Sequence, residues 1–148
     1  MKARLSELVA VLLSPLTLYC QPSSTEDEVW KVVREWNRSF AGNEPEKYFE
    51  FIHKDITLML PGVPYRVEGK AQDKEEFLWS LGIGISKVEF FQELQPKIQV
   101  MGNTAVVSYY SRGAYGDSGK MSYLKETDIL VKEDQGWKII HIHVSESQ

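Results

Sequence analysis

The amino-acid sequence predicts an α+β domain, a curved antiparallel sheet wrapped as a cone around three N-terminal helices. Three observations point to it. Apolar residues recur at helical spacing only in the first part of the chain. Beyond Gly82 that period gives way to long extended segments separated by short Gly-, Asn- and Asp-bearing turns. The 148 residues carry no internal repeat and no linker, so helices and strands share one core.

The first helix is expected to start at Thr25-Glu26-Asp27-Glu28, read as a capping box under an acidic first turn. Val29, Trp30, Val32, Val33, Trp36 and Phe40 then form one apolar face, and Gly42-Asn43 ends it. A shorter helix starts near Pro45 and carries Tyr48, Phe49 and Ile52 inward. Ile56 to Leu60 reads as a strand stopped by Pro61-Gly62, with Tyr65 to Gly69 as its short partner. The third helix spans Gln72 to Leu81, with Phe77, Leu78 and Leu81 as core residues and Gly82 in the left-handed position. Four longer strands follow. They hold Val88 to Val100, Thr104 to Tyr115, Met121 to Val131 and Trp137 to Ser145.

Ahead of this domain, Lys2 and Arg4 precede the apolar run Leu8 to Tyr19, and polar Gln21-Pro22-Ser23-Ser24 follows. These are the parts of a secretory signal, too short to span a bilayer and interrupted by Pro15. The expectation is a signal peptide over 1–20, cleaved near Cys20, a domain over 21–148, and a secreted or periplasmic product. A lipoprotein anchor at Cys20 fits less well, since Leu18-Tyr19 are not small; without a working signal the chain is cytoplasmic. A net charge of −4 without a Lys/Arg stripe argues against nucleic acid, and the lone cysteine excludes an intrachain disulfide.

The tail carries a resemblance. Lys125-Glu126-Thr127-Asp128-Ile129-Leu130-Val131-Lys132, an acidic turn, and Gly136-Trp137-Lys138-Ile139-Ile140-His141-Ile142-His143-Val144-Ser145 resemble the last two strands of SnoaL-like domains in the nuclear-transport-factor-2-like superfamily. They are most similar to the branch holding the association domain of calcium/calmodulin-dependent kinase, where a Trp-x-x-x-His-x-His-x-Ser strand recurs. The resemblance extends over Thr25 to Gln148 and implies the cystatin-like cone. Lys125 stands where many relatives have arginine, which puts a bidentate carboxylate clamp in doubt. The scaffold hosts isomerases, cyclases, dehydratases and assembly modules, so it names no reaction.

His141 and His143 lie two apart on a strand and so share a face, roughly 7 Å apart, with Trp137, Ile139 and Ser145. Ile140, Ile142 and Val144 take the other face; exposed on the outside of a monomer they would be an aggregation liability, hence an expected homodimer. The histidines are candidates for acid–base groups on the cavity wall, or else for satisfied interface or core residues. A zinc site of His53, His141 and His143 rests on fold analogy alone, and no metal or other cofactor is expected. An isomerase-like site needs a carboxylate base, with Asp55, Asp128 or Glu126 available, and a hydroxyl donor from Tyr65, Tyr109 or Tyr123. Asp55 is taken as the catalytic carboxylate beside His141 and His143. Tyr65, Tyr109, Tyr123, Lys125 and Trp79 are taken as ligand-binding residues. If Val107 faces the helices, Tyr109 does too. Placed with Tyr123, Lys125 and the two histidines on one concave wall, it would suit a small carboxylate. The function expected is small-molecule binding in a polar pocket, with cofactor-free acid–base catalysis within reach. The alternative is a non-catalytic oligomerisation or partner-binding module.

Overall fold

The structure, a computed structural model, describes residues 24–147. The apolar N-terminal run and Cys20 lie outside the described residues. Three helices come first: α1 (Thr25–Ala41), α2 (Pro45–Glu50) and, after two strands, α3 (Lys70–Gly82). The strands are β1 (Ile52–Met59), β2 (Val67–Glu68), β3 (Val88–Met101), β4 (Thr104–Tyr115), β5 (Met121–Glu133) and β6 (Gly136–Glu146). They form one six-stranded sheet in the order β2-β1-β6-β5-β4-β3. The α+β fold is that expected from the sequence, with a feature periodicity does not reveal: β1 returns beside β6 and pairs with it in parallel.

Helix α1 is capped one residue earlier than the sequence suggests. The Ser24 hydroxyl accepts from the Asp27 amide at 3.1 Å, and the Asp27 carboxylate accepts from the Ser24 amide at 3.0 Å. Its inner face buries Val29, Val33 and Trp36. Asn43 follows at a φ of 55° and binds both the amide and the carbonyl of Val88 through its side chain, which fixes the end of α1 to the start of β3. Ile52, expected on α2, is instead the buried first residue of β1. At the end of α3 the left-handed position belongs to Gly84 at φ 83°, not Gly82, and Leu78 is exposed rather than core.

Three irregularities bend the sheet. Edge strand β3 slips register between Leu94 and Lys97, where Gln95 has a φ of 53° and Pro96 has no amide to offer. Strand β1 slips against β6 between Ile52 and Thr57. In β6, Ile139 pairs with Leu130 and His141 with Ile129, so Ile140 is an extra residue. That bulge exchanges the faces of β6. Trp137 and Ile139 point inward before it, and Ile142 and Val144 pack on the same core after it. Ala105, Val107, Leu130, Ile139 and Val29 are fully buried, which places the core between α1 and the middle strands.

Leu130 is fully buried at the centre of that core. Leu130→Ala is expected to destabilise the domain by about 2–5 kcal/mol, read from urea unfolding midpoints at constant m-value.

Candidate functional site

The open end of the cone holds a cavity of about 540 Å³. Helix α1 contributes Trp36, Asn37 and Phe40, α2 contributes Tyr48, and the sheet contributes Leu58, Glu126, Ile142 and Val144. Asp73, Glu76, Phe77 and Ser80 line it from α3 at spacing i, i+3, i+4 and i+7, one face of a helix. The walls are largely aromatic. Tyr48 stacks on Phe77 at 4.8 Å, and Trp36 lies 5.4 Å from Tyr48. Tyr115 joins the wall from β4. Its phenol folds back over Gly113, where a Cβ would come within 2.5 Å of the hydroxyl. Tyr65, Trp79 and Ile85 form a rim, each more than half exposed.

Among the described residues the charge in this cavity has one sign: Asp73, Glu76 and Glu126 line it, and no described Lys, Arg or His does. Glu126 accepts from the Tyr109 phenol at 2.9 Å and from the Ser111 hydroxyl, while Asn37 Nδ2 donates to the Tyr109 oxygen at 3.3 Å. Burial raises the pKa of Glu126, against the two hydrogen bonds that favour its anion. Asp73 is 5% exposed, and its Oδ2 has no partner. Burial, then the neighbouring Glu76, pushes its pKa to about 7, with Lys70 opposing. Below the cavity floor Asp128 is fully buried with neither oxygen hydrogen-bonded, and burial followed by the Glu126 charge raises it well above the carboxylate range. Trp36 Nε1, on the wall, is likewise buried without a partner.

The residues singled out from the sequence divide between the two sides of the sheet. Tyr65 and Trp79 line the cavity. Tyr109 faces inward, 3% exposed, and reaches the cavity through Glu126 and Asn37. His141, His143, Tyr123 and Lys125 lie on the outer face, so the expected concave cluster does not form. The bulge at Ile140 turns both histidines outward, and strand parity puts Tyr123 and Lys125 opposite Glu126 and Asp128. His141 Nδ1 sits 2.8 Å from Thr57 Oγ1, and partial burial, then His143 and Arg66, lower its pKa. Asp55 belongs to the irregular stretch of β1 and is exposed, with His53 Nδ1 at 3.9 Å. His53 Nε2 pairs with Glu133 at 3.1 Å, away from the other two histidines' partners. Among the described residues no group of three or more His, Cys, Asp or Glu is arranged to hold a metal. A carboxylate ligand is disfavoured by a wall that offers it carboxyls and no cation.

Sequence reasoning passed over Asp73. Its signal was present: it stands four residues before Phe77 on α3, in the apolar stripe of that helix.

A three-layer arrangement of helices inside a curled sheet with an open mouth defines a nuclear transport factor 2-like fold. Solved structures agree. A hub of the calcium/calmodulin-dependent kinase from S. rosetta matches at a TM-score of 0.74 and 23% identity, over 85% of this chain and 99% of that one. The hub homology domain from Chlamydomonas reinhardtii matches at 0.68 and 25% identity, over 84% and 100%. A putative ketosteroid isomerase from Parabacteroides distasonis matches at 0.67 and 21% identity, over 85% and 94%. No curated protein matches the chain in sequence. Residues 25–148 match the family described as calcium/calmodulin dependent protein kinase II association domain, and the chain belongs to that family.

Asp128 gives the site a pH signature. Its folded-state pKa is raised, so the folded protein holds a proton that the unfolded chain loses near pH 4. Stability is therefore greatest below that pH and falls as pH rises towards the folded-state value. Asp128→Asn, which cannot ionise, should show a smaller drop in urea midpoint from pH 5 to pH 8 than the parent, and greater stability at pH 8.

Proposed function

We propose that this chain is an oligomer-forming domain that holds a small, mainly apolar organic molecule in its cone. The observation that supports ligand holding best is the cavity of about 540 Å³, the size of a ligand site, with aromatic walls and a few inward polar groups. Its ligand is neutral or cationic, since the charged side chains of the wall among the described residues are all acids. Glu126 and Asp73 have raised pKa values and stand on that wall, which equips the cavity for acid–base chemistry on a bound molecule. The oligomer is supported by the family, in which two similar solved structures are named as hubs. The outer sheet face, with Tyr110, Tyr123 and Met59 exposed, is the surface on which a second copy would pack. The argument for a dimer from Ile140, Ile142 and Val144 falls, because Ile142 and Val144 are spent in the core.

Binding of neutral N-phenyl-1-naphthylamine, read by its fluorescence, tests the cavity. Val63 lines the mouth from a loop, and Val63→Trp is expected to weaken binding at least tenfold with thermal unfolding unchanged. Retained binding in that variant would move the ligand site elsewhere. Sedimentation velocity checks assembly, with a single species larger than one protomer as the expected result.

Export with cleavage near Cys20 is also proposed, from the N-terminal sequence. Intact mass of the protein from the native host should correspond to a chain starting near Gln21; a full-length mass would end that reading.

A further inference from the structure

The acids of the cavity are not equivalent. Glu126 is occupied by Tyr109 and Ser111, and Glu76 accepts from Gln72 Nε2 at 2.7 Å. Asp73 is 95% buried in the cavity wall, and its Oδ2 has no partner. A buried carboxyl oxygen left without a donor costs free energy unless something supplied later satisfies it. Beside it on α3, one turn on, stands Phe77, whose ring stacks on Tyr48, and Tyr48 packs on Trp36. The negative faces of such rings attract a cation in a dry site, and a carboxylate beside them adds the counter-charge.

We infer that the cone takes a protonated organic amine with an apolar body, its ammonium held by the Asp73 carboxylate among the rings of Trp36, Tyr48 and Phe77. The inference rests on the reading of the cavity as a ligand site and names the chemical class of its ligand. It also fits a wall on which no described residue is a Lys, Arg or His, since a protein cation there would compete for the same carboxyls. Free of ligand, Asp73 has its pKa near 7 and can stay neutral at little cost; the arriving ammonium draws it into the ionised form. The charged groups acting on it come from its own helix, Glu76 raising and Lys70 lowering its pKa. Across the cavity Tyr48 from α2 senses its charge, and Leu58 of β1 and Val67 of β2 bring none.

Three probes of one shape separate the outcomes in calorimetric titrations at pH 8: 2-naphthylmethylamine, 2-naphthylmethanol and 2-naphthoate. The amine should bind at least tenfold tighter than the alcohol, and 2-naphthoate weakest. The amine's advantage should shrink about tenfold at pH 6, where Asp73 is mostly protonated. In Asp73→Asn the amine should fall to the level of the alcohol, whose own binding persists. An alcohol that binds as well as the amine, or a carboxylate that binds best, overturns the inference and leaves the cavity as a ligand site. Binding of none of the three removes both. The pH and probe comparisons use the unaltered protein, so they decide the matter even if Asp73→Asn does not fold.

Discussion

The extra residue in β6 decides which side chains the cavity sees. A regular strand that buries Trp137 and Ile139 must also turn His141 and His143 inward, because side chains alternate with period two. The bulge at Ile140 breaks that alternation, so Ile142 and Val144 continue the apolar wall and the imidazoles pass to the outside. Two consequences follow from one inserted residue. The cavity keeps an apolar wall along β6, and the outer face receives the titratable pair, one of which is anchored to Thr57 of β1.

With His141 and His143 outside, the interior holds carboxyls with no cation among the described residues to balance them. Charge in a medium of low polarity is costly, and the folded protein meets that cost by keeping its acids neutral or by hydrogen-bonding them. Glu126 takes the second course through Tyr109 and Ser111. Asp128, fully buried and without a partner, takes the first. Asp73 stands between them, with a pKa near neutrality and an open valence for hydrogen bonding on the cavity wall. Burial raises both acids, Asp128 in the core and Asp73 in the cavity wall.

The architecture was legible because each element repeats its own period. The apolar stripe of α1, Pro45 at the start of α2 and the glycine-bearing turns between long strands all act locally, so the residues that form them lie together in the sequence. The capping box came out one residue early because Ser24 and Thr25 are both competent caps, and Asp27 answers the first as Glu28 would the second. The site was less legible. Parity grouped Tyr109 with Val107 on β4 and Glu126 with Asp128 on β5, but it does not say which face of β5 looks inward, and Tyr123 and Lys125 were expected there in place of the two acids. It failed at β6, since a bulge leaves no mark in composition and reverses every assignment beyond it. Asp73 was hidden for another reason: a charged residue in a short, weakly amphipathic helix reads as solvated unless the opposite wall is known.

The same strands present the cavity on one face and an exposed surface on the other. On β4 the buried Tyr109 is followed by the exposed Tyr110, and on β5 Lys125 faces out beside the inward Glu126. Tyr110 and Lys125 are directly paired across those strands, as are Tyr109 and Glu126. Ligand binding and assembly in such a domain are not competing explanations of the fold. A sheet one residue thick gives each inward group an outward neighbour, so the sequence of each strand has to suit both faces at once.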